Sequence, residues 1–369
     1  LIRYLCSRCA SPFDVTPDRW RCDCGAPLDL DFAAEPVPLD AFARRPSNLW
    51  RWREVLPLLG PVPVATLGEG LCPVVEDFLG SVPCRLVLDY VSPTGSYKDR
   101  GAAMLVATAV ALGVDDLFDD TSGNAGIALA AHAARAGLRA RVLVAEDAAE
   151  SKPRIAARFG ATVTRVPGGR AAAAAAALEE ASSGAFYASH AWSPFFLHGT
   201  KTLAYAIVEA LGGSLPGAIA VPCGNGGLVL GLDLGFRELR RHGLIPRRPA
   251  IVAVQASACA PLHAAFLRGV EDPDPVPEAT TLADGIRVGS PPRGAAALRA
   301  VRESGGSVEV VDDTEIAAAR DLLWSKGYAV EPTAAVAAAL VAREGKALRE
   351  RHGDLAVVLT GSGLEKSCG

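Results

Sequence analysis

A chain of 369 residues, half of them hydrophobic and 21% charged, has enough apolar surface for packed cores and enough length for two domains with a small appendage, which excludes wholesale disorder. A net charge of −4 without a basic block argues against nucleic-acid binding as the main business, and no apolar run approaches the roughly 20 residues of a membrane span. The opening residues, LIRYLCSRCA, lack the hydrophobic region of a signal peptide, and nine cysteines in such a chain read as reduced thiols, so a soluble cytoplasmic protein is expected. Arg outnumbers Lys 31 to 6, which makes each lysine informative.

Cys6, Cys9, Cys22 and Cys24 form a Cys-x-x-Cys pair and a Cys-x-Cys pair, the second followed by Gly25. Four thiolates on two short turns suit a tetrahedral zinc ion, whose binding supplies folding energy that so short a segment lacks; plain reduced cysteines are the alternative. A zinc-ribbon-like lobe over residues 1–35 is expected, with a linker rich in Pro, Ala and charge from Asp31 to Pro46. From about Trp50 the chain alternates β-rich runs with Ala-rich stretches, the pattern of an α/β protein with a parallel sheet. Strands are expected at Arg85–Asp89, Leu117–Thr121, Ala140–Ala145, Thr162–Val166, Ala218–Cys223, Ile251–Gln255, Val308–Val311 and Leu355–Thr360. Between them, Asp99–Leu112 and Asn124–Ala136 begin on polar residues and stop at Gly113 and Gly137, as helices do. The alanine run from Ala171 to Ala177 reads as a surface helix.

Ligands of open α/β sheets bind beyond the carboxyl ends of strands, where loops run into helix N-termini. Four such loops are chemically unusual. In SPTGSYKDRG, Ser92 to Gly101, small turn residues lead to Lys98 just before a helix, where a cation is least favoured; Schiff-base chemistry needs the neutral amine. In TSGNAG, Thr121 to Gly126, the residues Ser122, Gly123 and Asn124 aim backbone N–H groups and an amide at an anion or a ring hydroxyl. CGNGG, Cys223 to Gly227, lets backbone N–H groups approach a phosphate, and TGSG, Thr360 to Gly363, sets a hydroxyl after the last strand. Taken singly, each has a plainer explanation: a solvated lysine, a helix cap, a tight turn.

Together with LGEG at Leu67 to Gly70, GTKT at Gly199 to Thr202, LADGI at Leu282 to Ile286 and VEPT at Val330 to Thr333, these loops resemble the fold-type II pyridoxal-phosphate enzymes, and most closely the threonine synthase family. The resemblance covers nearly the whole chain. It implies two doubly wound α/β domains, a large cofactor-binding one from residues 45–99 and 192–369 and a small one from 100–191, in a homodimer. It implies pyridoxal 5'-phosphate in Schiff-base linkage to Lys98, with Asn124 at the ring hydroxyl, Gly224, Asn225, Gly226 and Gly227 around the phosphate, and Thr360 at the pyridine nitrogen. Ser122 and Gly123 are then expected to hold the substrate carboxylate. A neutral hydroxyl at that nitrogen moderates the electron sink, which suits elimination and replacement.

Asp99 stands where related serine and threonine dehydratases usually carry a hydrophobic residue, which leans toward a lyase that converts O-phosphohomoserine to threonine and phosphate. Other positions depart from that pattern. Many threonine synthases carry Pro-Tyr-Arg shortly before Gly-x-Lys-Thr, the Arg helping to bind the substrate's phosphate; here the stretch is HAWSPFFLHGTKT and Phe196 takes that place. A phenyl ring forms no ion pair with phosphate. Either Lys201, Arg100 or Arg287 supplies the charge, or the substrate carries no phosphate; His190 and His198 flank the stretch. Cys72, Ala334 and Glu365 are further departures, all peripheral to the cofactor. The competing readings are a paralogue that performs elimination or replacement on another amino acid, a serine or threonine dehydratase, and a catalytically silent binding protein.

Overall fold

The computed structural model describes residues 2–62 and 65–364. Its strands in chain order are β1 (Arg3–Cys6), β2 (Pro12–Asp14), β3 (Leu28–Asp31), β4 (Val74–Leu79), β5 (Val82–Leu88), β6 (Asp116–Asp120) and β7 (Arg139–Ala145). They continue with β8 (Thr162–Val166), β9 (Phe186–Tyr187), β10 (Ala218–Pro222), β11 (Ala250–Ala256), β12 (Ser307–Val311) and β13 (Leu355–Leu359). The chain divides into two compact units. The first holds the described residues through Gly70 together with Ser92–Thr200; the second holds Leu71–Val91 and Lys201–Leu364. The expected segment 45–99 is thus shared between them, with Lys98 in the first unit.

The first unit contains an antiparallel sheet of order β2-β1-β3 and a parallel sheet of order β8-β7-β6-β9. Tyr4, Cys6, Cys22 and Leu28 from the cysteine lobe share one core with Met104, Leu105, Leu117, Leu129, Val142, Phe195 and Phe196, so the lobe has packing support beyond its own small sheet. The segment expected as a linker contains a short helix, Leu39–Ala43, because Phe42 finds a fully buried site. The alanine run lies in the helix Gly169–Ser182, which buries Ala173, Ala177 and Ala181 at four-residue spacing.

The second unit is built on a six-stranded sheet of order β12-β11-β10-β13-β5-β4. The strands β10, β11 and β13 are buried at every residue, as near-continuous apolar runs in a parallel sheet are. Across them packs the helix Pro332–His352, whose stretch from Thr333 to Val341 is wholly buried and consists mostly of alanine, which permits close approach to the sheet. The sheet ends in an antiparallel hairpin, β4 with β5, closed by Gly80 at φ +62. Sequence reading finds only β5 of that pair, because β4 is an edge strand with a half-exposed pattern and no apolar run. Among the described residues no helix is long and apolar enough to cross a membrane.

Candidate active site

In the first unit the chain reaches Lys98 through a turn in which the Gly95 N–H donates to the Ser92 carbonyl at 2.8 Å, with Gly95 at φ +79. Lys98 opens the helix Lys98–Ala111, and its Nζ donates to the Tyr97 hydroxyl at 2.8 Å. The next residue, Asp99, is fully buried and holds the turn. Its Oδ2 accepts from the Thr94 N–H and its Oδ1 from the Thr94 hydroxyl, both at 2.9 Å, while His132 Nε2 lies 3.1 Å from Oδ1. A buried carboxylate so satisfied stiffens its surroundings. His132 belongs to the helix Asn124–Ala136, so Asp99 ties the lysine turn to the helix whose first residue is Asn124.

That helix starts just beyond the carboxyl end of β6. Gly123 precedes it and donates its N–H to the Thr121 hydroxyl at 3.2 Å, while Ser122 is exposed. A Cβ at Gly126 would stand 3.1 Å from Thr121 Cγ2 and 3.2 Å from Val142 Cγ1, which shows how closely helix and strand approach. Ser122, Gly123 and Asn124 therefore sit where the sequence pattern puts them, at a helix N-terminus on the carboxyl edge of a parallel sheet.

The stretch around Phe196 is different in kind. Phe196 is 2% exposed, and a Cβ at Gly101 would fall 2.4 Å from its ring, so Phe196 fills the contact between the helices Lys98–Ala111 and Pro194–Thr200. His198 is likewise buried, edge-on to Phe32 with ring centroids 5.5 Å apart. Arg100 is fully buried and donates to the Gly70 carbonyl at 3.2 Å, which anchors the end of LGEG.

In the second unit, β10 and β13 are adjacent parallel strands, so Cys223–Gly227 and Thr360 emerge at neighbouring carboxyl ends. Gly226 has φ +81 and precedes the helix Gly227–Arg241; a Cβ at Gly224 would stand 2.8 Å from Ile286 Cα. Gln255 Nε2 donates to the Cys223 carbonyl at 3.2 Å. The LADGI and VEPT segments are joined by a hydrogen bond from the Gly285 N–H to Thr333 Oγ1 at 3.2 Å, and VEPT is joined to TGSG by the Glu331 N–H on the Gly361 carbonyl at 3.0 Å. Motifs far apart in sequence thus converge at one edge of the sheet. Thr360 is 2% exposed and its Oγ1 has no hydrogen-bond partner among the described residues.

Lys201 requires a correction. Expected at a substrate, it is fully buried and donates to Glu238 Oε1 at 2.8 Å, while the Tyr205 hydroxyl donates to Glu238 Oε2 at 3.0 Å. Burial pulls the Lys201 ammonium down to about 8, opposed by the Glu238 carboxylate. Its charge is neutralised inside the second unit by a carboxylate 37 residues away, a partner no local pattern announces. Sequence reading also missed the acids at the end of β6. Asp119 and Asp120 are buried, Arg170 Nη1 donates to Asp120 at 2.7 Å, and Tyr187 donates to the other Asp120 oxygen. Burial raises the Asp120 carboxyl, and Arg170 works against that rise. The available signal was two carboxylates closing an apolar strand.

Pyridoxal phosphate has a ring nitrogen that accepts a hydrogen bond, a phosphate that needs N–H donors, and an aldehyde that condenses with a lysine. The unpartnered buried hydroxyl of Thr360 suits the first, the close-packed glycine turn Gly224–Gly227 the second, and Lys98 the third. An α/β fold carrying these three features defines a pyridoxal-phosphate enzyme. Residues 70–361 match the family described as pyridoxal-phosphate dependent enzyme, and the chain belongs to it. It is a pyridoxal-phosphate-dependent lyase of fold type II, similar to threonine synthases. That of Methanocaldococcus jannaschii is 32% identical over 98% of this chain and 92% of its own length, and that of Synechocystis is 32% identical over 90% and 87%. Among solved structures, a threonine deaminase from T.th. superposes with a TM-score of 0.65 at 25% identity, covering 79% of this chain and 92% of its own. Maize serine racemase superposes at 0.70 with 20% identity, covering 89% and 94%, and supports the fold alone.

Proposed function

We propose that the protein converts O-phosphohomoserine to threonine and inorganic phosphate. The observation that carries this reading is similarity to threonine synthases along almost the entire chain, combined with intact residues for the cofactor at each expected strand end. Bound pyridoxal phosphate draws electron density from the substrate's α-carbon. Lys98 would hold the cofactor, and its amine, when free, would move protons at the α- and β-carbons of the substrate. Asn124 would meet the ring hydroxyl; Gly224, Asn225, Gly226 and Gly227 would hold the cofactor phosphate; Thr360, whose buried hydroxyl has no hydrogen-bond partner among the described residues, would donate to the pyridine nitrogen. Ser122 and Gly123 orient the substrate carboxylate at the helix N-terminus. Asp99 keeps the lysine turn in register through Thr94 and His132.

Two accessory features belong to this reading. The Sγ atoms of Cys6, Cys9, Cys22 and Cys24 all lie within 4.8 Å of one another, with Cys6 to Cys24 at 3.5 Å and Cys9 to Cys22 at 3.6 Å. Tetrahedral zinc with bonds near 2.3 Å spaces its sulfurs by about 3.8 Å, so the cluster suits a structural zinc ion. Metal analysis of the purified protein is expected to give one zinc per chain, lost together with thermal stability on chelation. A cytoplasmic homodimer is the expected assembly by family analogy.

The test is phosphate and threonine formation by the cofactor-loaded protein given O-phosphohomoserine, expected in the range of about 1 to 1,000 per second. A second reading is favoured by one observation, the burial of Phe196 against Gly101 where a phosphate-binding Arg is common in the family. On that reading the enzyme performs elimination or replacement on another amino acid, and loaded protein releases no phosphate from O-phosphohomoserine.

A further inference from the structure

We propose that His190, oriented by the buried carboxylate of Asp119, is the specificity-determining residue that binds an anionic group at the end of the substrate's side chain. The inference rests on the reading of this edge of the first unit as the substrate site. Strand β9 runs parallel to β6, pairing Leu117 with Phe186 and Phe118 with Tyr187, and the Ala188 N–H extends the pairing to the Phe118 carbonyl at 2.7 Å. Two residues further on, His190 therefore comes beside Asp119 at the carboxyl edge of the sheet, the same edge that carries Ser122, Gly123 and Asn124. Ser189 shapes the turn, its hydroxyl accepting from the N–H groups of Ala191 and Trp192, both at 3.3 Å.

The imidazole is held from two sides. Its Nδ1 lies 2.8 Å from Asp119 Oδ2, while Oδ1 of the same carboxylate accepts the Asp120 N–H at 2.9 Å, so the acid cannot swing away. The Phe196 ring meets the imidazole edge-on, with centroids 6.2 Å apart. Asp119 is 1% exposed and the His190 side chain 13%, and Nε2 has no hydrogen-bond partner among the described residues. The neighbouring Asp120 is already paired with Arg170 and Tyr187, so Asp119 is the carboxylate that faces the imidazole. A buried carboxylate on Nδ1 fixes the orientation of the ring, so that Nε2 is the nitrogen left for a ligand. In its cationic form the ring donates through Nε2–H to an oxyanion, a contact that Phe196, buried against Gly101, cannot give and that Arg100 and Lys201, buried on internal partners, do not give; Arg287, half-buried in the second unit, is the other cation the sequence offers.

The experiment uses holoenzyme and two non-reacting ligands, norvaline and the phosphonate isostere of O-phosphohomoserine, with binding read from the cofactor's visible spectrum. Wild type is expected to bind the phosphonate more tightly than norvaline. His190→Ala is expected to weaken the phosphonate by about 10- to 100-fold and to leave norvaline unchanged. Asp119→Asn is expected to weaken the phosphonate less, and His190→Asn, which keeps bulk and polarity without charge, to behave like the alanine variant. An unchanged spectrum and melting temperature in each variant establish that it folds and holds cofactor. Equal losses for both ligands, or none, overturn the proposal. If wild type does not prefer the phosphonate, the phosphate-ester substrate is wrong, and homocysteate and 2-aminoadipate replace it as sulfonate and carboxylate probes. Selective loss of whichever anion wild type prefers upholds His190, and a wild type indifferent to all three anions overturns it.

Discussion

Two lysines introduced by small residues at the start of a helix, Lys98 in the first unit and Lys201 in the second, have opposite surroundings. Lys98 is half-buried beside the Tyr97 hydroxyl, and the carboxylate next to it in sequence, Asp99, is turned away onto Thr94 and His132. Lys201 is wholly buried and paired with Glu238. The difference lies in where the nearest carboxylate is used. An acid committed to backbone and hydroxyl donors leaves Lys98 available for covalent chemistry, whereas an acid waiting in the core makes Lys201 part of the packing.

The contrast breaks most sharply at Lys98 itself. Lys98→Ala is expected to lose the cofactor's visible band and to lower activity by about a thousandfold or more, while Lys201→Met, compared in the same spectra, keeps the band. At the other lysine, Glu238→Leu strands a buried ammonium and is expected to lower unfolding free energy by about 3–5 kcal/mol in urea titrations, whereas Lys201→Met combined with Glu238→Leu recovers most of that loss. The pH dependence has a definite sign. Lys201 is pulled from its ordinary 10.5 to about 8 in the folded chain, so between those values the unfolded chain binds more protons. The contribution of this residue to stability therefore rises with pH across that window. A flat profile there in wild type, relative to Lys201→Met, contradicts the assignment.

Asp99→Asn sharpens the comparison from the other side. It weakens the hold on the lysine turn without touching the cofactor, so a fall in kcat of up to about a hundredfold with the visible band intact is expected. Loss of the band would make Asp99 a folding residue only. The smallest effect is expected at Thr360: Thr360→Val removes the buried hydroxyl and is expected to weaken cofactor affinity by about tenfold, with Thr360→Ser close to wild type in equilibrium dialysis.

The parts of the molecule legible in the sequence are those governed by local rules. The bounds of β8 and of the helix Asn124–Ala136 agree with expectation to the residue, and the other expected strands are displaced by a few residues at most, because apolar runs and glycine stops are local signals. The glycine turns were legible for the same reason. What the sequence left hidden depends on partners distant along the chain: the edge strand β4, the Glu238 carboxylate that absorbs Lys201, and the packing of Phe196 into the space left at Gly101. His190 was visible only as one of two histidines in an unusual stretch; it is the register of β9 on β6 that distinguishes it from His198, whose ring lies buried against Phe32.

The opposite roles of the two lysines are tested most directly by reducing the holoenzyme with borohydride and locating the resulting pyridoxyl-phosphate label by peptide mass mapping. The label is expected on Lys98 alone. A label on Lys201, or reduced protein that carries none, contradicts the account.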